Sequence, residues 1–261
     1  MTVSRNGVRV AAVVPARMAS TRFPGKPLLP VRGLPMVEHV RRRALLCRRF
    51  SEVVVATCDE EIAAVVRGYG GKVVMTSSSH PGATDRVAEA ALKLDCTHLI
   101  NVQGDQILVL PTDLERMIAG MESDPQAPVW NGVAPIESEA ELRDRSVVKC
   151  ALSVSGRALF CARDVSGLPC GERFEPYRRV LGILGYRRDF LERFRSLERT
   201  PLEIAESMDQ SRIIEHDFPL KTVGFSRGYP EINERREVEA VQEFLQADRA
   251  QQRVLEEVLA G

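Results

Sequence analysis

Residues 13–28 read Val-Val-Pro-Ala-Arg-Met-Ala-Ser-Thr-Arg-Phe-Pro-Gly-Lys-Pro-Leu, which places Arg17, Arg22 and Lys26 within ten residues, directly after an apolar run. Three cations so spaced can converge on the oxygens of a triphosphate, and Gly25 lets the backbone come close. A solvated basic turn is the alternative, but the position after a first strand favours phosphate, because open α/β folds bind ligands at the carboxyl edge of the sheet. The loop is not a Walker A motif: Ser20 stands where that motif needs its first glycine, and Pro27 follows Lys26 in place of Ser or Thr. Asp105 follows the apolar run 99–102 and should emerge at the same edge. A carboxylate beside phosphates suits Mg²⁺, a hard ion that is commonly held by one or two carboxylates together with substrate phosphates. A plain turn aspartate is the competing reading, since Gly-Asp is a frequent turn pair.

The elements that must carry these residues are legible as alternation. Apolar runs at 8–14, 53–57, 72–76 and 98–102 alternate with amphipathic segments at 36–47 and 60–68. A further helix should be capped by Thr84 and bury Val87, Ala88, Ala91 and Leu92. This is the pattern of a parallel sheet covered by helices. From Pro125 onward the chain becomes β-rich, with segments at 129–135, 147–154, 158–162 and 180–185. Two helices are expected at 188–194 and 202–208, and one long C-terminal helix over 234–259. The expected division is a nucleotide-binding core over 1–124, an acceptor-binding and dimerisation lobe over 125–215, and a return to the core over 216–261.

A chain of 261 residues can bury a full core, and its 36 basic and 36 acidic residues imply no polyanion-binding surface. A small-molecule partner is therefore expected, with neither nucleic acid nor membrane. No apolar signal core and no run of membrane-span length is evident, so the expected location is cytoplasmic. Cys47, Cys58, Cys96, Cys150, Cys161 and Cys170 form no C-x-x-C pair and read as reduced, mainly packing thiols. His39, His80, His98 and His216 lack ligand spacing, which disfavours zinc chemistry. No G-x-S-x-G elbow is present and no G-x-G-x-x-G follows the first strand, which disfavours serine hydrolysis and a Rossmann dehydrogenase.

Three blocks then carry a resemblance. Pro15-Ala-Arg-x-x-Ser-Thr-Arg-x-Pro-Gly-Lys-Pro-Leu28, His80-Pro-x-x-Thr-Asp-Arg-x-Ala-Glu89 and Asn101-Val-Gln-Gly-Asp105 resemble those of the CMP-Kdo synthetases, the 3-deoxy-manno-octulosonate cytidylyltransferases. The similarity continues through Val147-Val-Lys149, 182–189, Pro201-Leu-Glu-x-x-Glu206 and Gln210-x-Arg212, over nearly the whole chain in order. The resemblance implies a Rossmann-like α/β nucleotidyltransferase, with a mostly parallel sheet and a smaller mixed α+β lobe, that joins CMP from CTP to an acidic acceptor and releases pyrophosphate. It implies CTP binding by Pro15, Ala16, Arg17, Ser20, Thr21, Arg22, Lys26, Arg86 and Gln103, with Arg17, Lys26 and Asp105 as the catalytic group. It also implies Mg²⁺ on Asp105, acceptor binding by Gln103, Lys149, Glu206, Gln210 and Arg212, and a homodimer.

The chain departs from that pattern at named positions. Asn233 stands where a second metal aspartate is expected, with Glu231 or Glu234 as possible substitutes. Gln106-Ile107 replaces Glu-Pro, and Val180 replaces a histidine that faces the sugar acid. A sugar hydroxyl must lose a proton to attack phosphorus, whereas a phosphonate oxygen is already anionic. The departures therefore suggest a small anionic acceptor such as phosphonoformate, giving a CMP-phosphonate of the kind used in antibiotic biosynthesis. Activation of Kdo for lipopolysaccharide is the alternative, and a non-catalytic CTP-binding regulator is a third reading.

Overall fold

The structure, a computed structural model, describes residues 7–19, 23–169 and 174–261. Ser20, Thr21, Arg22 and Cys170 lie outside the described residues.

The first half builds the expected parallel sheet. Its strands are β1 (Val10–Ala16), a short β2 and β3 pair (Pro30–Val31, Leu34–Pro35), β4 (Glu52–Thr57), β5 (Lys72–Met75) and β6 (His98–Val102). The helices between them are α1 (Met36–Leu46), α2 (Glu60–Gly68), α3 (Ala83–Ala91) and α4 (Pro111–Ser123). Then come β7 (Val129–Pro135), α5 (Glu139–Arg143), β8 (Lys149–Leu152), β9 (Ala158–Ala162), β10 (Tyr177–Arg187), α6 (Arg188–Phe194), α7 (Pro201–Glu206), α8 (Asp209–Glu215), β11 (Leu220–Gly224), α9 (Glu237–Ala247) and α10 (Arg249–Ala260).

One nine-stranded sheet runs β11-β7-β10-β6-β1-β4-β5, with β8 and β9 added through β10. The pairs β1 with β4, β1 with β6, β4 with β5 and β7 with β11 are parallel, and β10 is antiparallel to both its sheet neighbours. The sheet therefore continues unbroken across the expected boundary at residue 125, because β7 and β10 lie in it and only the β8–β9 hairpin hangs off it. Two apolar clusters, one on each face of the sheet, form the core. Val10, Ala12 and Val14 of β1 enter one, and Ala11 and Val13 enter the other, as the period of two requires. Cys47, Cys96, Cys150 and Cys161 are buried packing residues. Among the described residues no helix is long and apolar enough to cross a membrane.

Four expectations need correction. β1 runs two residues past Val14, because its register with β4 continues through Pro15↔Ala56 and Ala16↔Thr57. Thr84 is not the cap of α3, and Leu92, expected on its buried face, follows the helix as an exposed residue. Gly82 precedes the helix without a side-chain cap, and the Thr84 N–H is satisfied from outside by Asp209 at 3.0 Å. The single C-terminal helix is two, because Asp248 takes an extended conformation and its carboxylate accepts the Ala250 and Gln251 N–H groups, both at 3.0 Å, to start α10.

Candidate active site

β1 and β6 are parallel neighbours, so their carboxyl ends deliver the basic loop and the 103–105 loop to one edge. Pro15, Ala16, Arg17, Lys26, Gln103 and Asp105 meet there around a pocket of about 210 Å³, closed on its far side by Gly82, Ala83 and Arg86 at the start of α3. Gly25 has φ +77°, the left-handed region that glycine enters without a Cβ clash, and it turns the loop so that Lys26 points back across the edge. Arg86 is buried and held by Thr76 Oγ1 at 2.5 Å.

Asp105 is the pivot of this edge. Lys26 Nζ donates to its Oδ2 at 3.0 Å and to the Ile232 carbonyl at 2.9 Å, which ties the loop before α9 to the phosphate loop. Asp105 Oδ1 is buried with no hydrogen-bond partner. An unpartnered carboxylate oxygen beside a cation-lined pocket suits a hard divalent ion. Among the described residues no group of three or more His, Cys, Asp or Glu forms a cage.

A second cleft of about 980 Å³ opens from the same residues and runs between the sheet and α7–α8. Arg17, Gln103 and Asp105 border both spaces. The long strand β10 shifts register between Val180 and Leu184, and Leu181 and Gly182 at that irregularity face the cleft. Gly182 lets the ends of two glutamines pack close to the strand: a Cβ there would lie 2.9 Å from Gln106 Nε2 and 3.0 Å from Gln103 Oε1, so both amides would have to move aside. Val180, Glu206, Gln210 and Asn233 also line this cleft. Gln210 Nε2 donates to Asn131 Oδ1 at 2.9 Å, and Glu206 Oε2 accepts the Arg163 N–H at 3.3 Å. The Asn233 N–H donates to Glu237 Oε2 at 2.5 Å.

Glu231, on the same wall, accepts from Gln106 Nε2 at 3.0 Å and from Arg179 Nη2 at 3.4 Å. Burial pushes its carboxyl above the ordinary range and the nearby charge of Asp105 adds to that, with Arg179 and Gln106 opposing. The Glu231, Gln106 and Arg179 cluster was not predicted as a unit. Arg179 and Glu231 are remote in sequence, and only β10 brings them together.

Two residues expected to touch the acceptor do something else. Lys149 Nζ donates to the carbonyls of Asp144, Val147 and Arg163 at 2.6, 2.9 and 2.7 Å, so its three protons are spent on closing loops behind the cleft. Arg212 is 2 % exposed and joins Asp85 to Glu203 over the face of Phe194, away from both spaces. Although burial opposes its charge, the bonds to Glu203 and Asp85 hold its pKa above the usual guanidinium range.

A cation-lined edge joined to a polar cleft, on a sheet of this topology, has the parts a nucleotidyltransferase needs, and the comparisons establish that class. The family model described as "Cytidylyltransferase" matches residues 11–221. The "3-deoxy-manno-octulosonate cytidylyltransferase" of Myxococcus xanthus is 42 % identical over 243 residues, 92 % of this chain and 97 % of that protein. Its namesake from Geobacter metallireducens is 39 % identical over 83 % of this chain and 89 % of that protein. The solved structure of "CMP:2-keto-3-deoxy-manno-octonic acid synthetase complexed with CTP" superposes with a TM-score of 0.84 at 34 % identity, covering 91 % of this chain and 98 % of that one. A cytidylyltransferase from Leptospira borgpetersenii, 16 % identical with a TM-score of 0.63, shares the fold. The protein is thus a cytidylyltransferase. Within that class, the chain belongs to the 3-deoxy-manno-octulosonate cytidylyltransferase (CMP-Kdo synthetase) family.

Proposed function

We propose that this chain transfers CMP from CTP to 3-deoxy-manno-octulosonate (Kdo). The observation that carries the reading is the polarity of the cleft beside the phosphate edge, taken with the 42 % identity to the Myxococcus xanthus protein. At about 980 Å³, and lined by Gln103, Arg179, Glu206 and Gln210, the cleft suits an eight-carbon sugar acid rich in hydroxyls. The similar proteins named above act on the sugar acid by their names, and the phosphonate acceptor suggested by Asn233 and Val180 finds no support.

CTP would lie with its phosphates against Arg17 and Lys26 and its nucleoside toward Arg86. The acceptor oxygen attacks the α-phosphorus in line while pyrophosphate leaves, so the chain must align two anions and neutralise the charge that develops. Lys26 and Arg17 supply fixed positive charge on the leaving group. Gln103, at the junction of the two spaces, orients the acceptor. Asp105 would hold Mg²⁺, with Glu231 as the second carboxylate in place of the expected aspartate at 233; the ion would supply Lewis-acid stabilisation of the phosphates. A homodimer belongs to the same reading, and exposed Val154, Leu159, Leu202 and Ile204 are apolar side chains available to it.

The test is pyrophosphate release from CTP and Mg²⁺ with Kdo and phosphonoformate supplied in parallel. Turnover with Kdo alone is expected. Turnover with phosphonoformate alone would overturn the acceptor, and CTP binding without turnover on any acceptor would mean a regulator.

A further inference from the structure

The first turn of α3 serves both halves of the site. Gly82 and Ala83 border the pocket and the cleft, and Arg86 reaches the pocket from the same turn. That turn has no side-chain cap of its own. Its restraint comes from α8. Asp209 accepts the Thr84 N–H at 3.0 Å, and a Cβ on residue 82 would come within 2.8 Å of Asp209 Oδ1, so Gly82 is what admits this approach. One turn along α8, Arg212 donates to both oxygens of Asp85 at 3.0 and 3.3 Å. Arg212 is fixed in turn by Glu203 of α7, whose Oε2 accepts from Nε at 2.7 Å, and by Phe194 of α6, whose ring centre lies 4.2 Å below the guanidinium.

We infer that Arg212 is a positioning residue for the nucleotide pocket: its fork on Asp85 sets the first turn of α3, and with it the Gly82 and Ala83 backbone and the Arg86 guanidinium. Arg212 borders neither space; it reaches the nucleotide pocket through Asp85, whereas its other partner, Glu203, lines the acceptor cleft. The planar fork matters, because it serves two carboxylates at once with fixed geometry. A lysine at the same place is a point charge that satisfies one and leaves the other buried and poorly paired. The inference rests on the small pocket being the CTP site and is independent of the acceptor.

The test is calorimetric titration of CTP with Mg²⁺ and no acceptor, at a temperature where circular dichroism shows each variant folded. Arg212→Lys and Asp85→Asn are expected to weaken CTP binding by about tenfold or more, a loss carried by pocket geometry. Glu203→Gln keeps an accepting amide oxygen for Arg212 Nε and leaves the Asp85 fork in place, so it should lower Tm through the lost charge and change the CTP Kd by no more than about twofold. Folded Arg212→Lys and Asp85→Asn proteins that bind CTP as the wild type does would overturn the inference, because a purely structural role lowers Tm and leaves binding intact. Equal weakening in Glu203→Gln would overturn it as well. Should Arg212→Lys fail to fold, the contrast between Asp85→Asn and Glu203→Gln decides. Wild-type protein that binds CTP and ignores Kdo would refute the acceptor assignment without touching this inference.

Discussion

Replacing Lys26 with methionine keeps the length of the side chain and removes the charge. In the structure Nζ lies 3.0 Å from Asp105 Oδ2, and the two side chains are 16 % and 19 % exposed. A unit charge pair in contact is worth about 1 kcal/mol in bulk water and about 4 kcal/mol at the effective dielectric of a protein surface. With about a sixth of each side chain exposed, Lys26 sits toward the upper end, so losing its interaction with the departing pyrophosphate should cost about 3 kcal/mol, or about a hundredfold in kcat. The same removal strips Asp105 of the one cation that pairs with it among the described residues, so the CTP-free protein should bind Mg²⁺ more tightly even as turnover falls. Stability should drop by about 1–3 kcal/mol, since the largely buried Asp105 carboxylate is left without its cation. Pyrophosphate release at saturating CTP and Kdo reads the first effect, and calorimetric Mg²⁺ titration reads the second. A folded Lys26→Met protein with kcat within about twofold of wild type would refute the assigned role of the lysine.

Asp105→Asn should abolish Mg²⁺-dependent turnover while Tm stays within a few degrees, as the neutral amide keeps the shape but loses the ligand charge; a scanning calorimeter and the same assay check both. Burial pushes His39 down from 6.5 to about 4, reinforced by Arg43 and Arg42, while its 2.7 Å contact with the Val31 carbonyl opposes. The unfolded chain therefore takes up this proton first, so stability should fall as pH drops from 6.5 toward 4, by about 3 kcal/mol in all. His39→Gln should flatten that acid slope of Tm, and an unchanged slope would assign the acid loss to other groups. Asp248→Ala removes the acceptor of two N–H groups at the head of α10 and should cost about 1 kcal/mol in urea unfolding.

The parallel half of the fold was readable because its strands are short apolar runs bounded by turn residues, and the cation loop and Asp105 fall at adjacent strand ends. The residues of α4 carry an equally plain helix signal in the sequence, with Pro111 at its first position, Asp113 in its first turn and Leu114, Met117, Ile118 and Met121 on one face. The C-terminal break is hidden because both flanking helices are amphipathic, with Val241 and Leu245 buried in α9 and Leu255 and Val258 in α10, so apolar periodicity runs up to Asp248 from each side and only the capping residue type marks the break. Lys149 and Arg212 were misplaced for a different reason. A motif reports that a residue is needed near a site, and a buried cation that organises loops or helices around the cleft leaves the same mark as one that touches substrate. The Glu231, Gln106 and Arg179 cluster had no local signal, since its members meet only through the path of β10 and the loop pinned by Lys26.

The most direct test of the central claim is phosphorus NMR of a mixture of the protein, CTP, Mg²⁺ and Kdo. Transfer at this edge predicts loss of the CTP resonances and growth of a phosphodiester signal and inorganic pyrophosphate in equal amounts. A CTP spectrum that stays unchanged with Kdo present, in protein that binds CTP, would contradict the account.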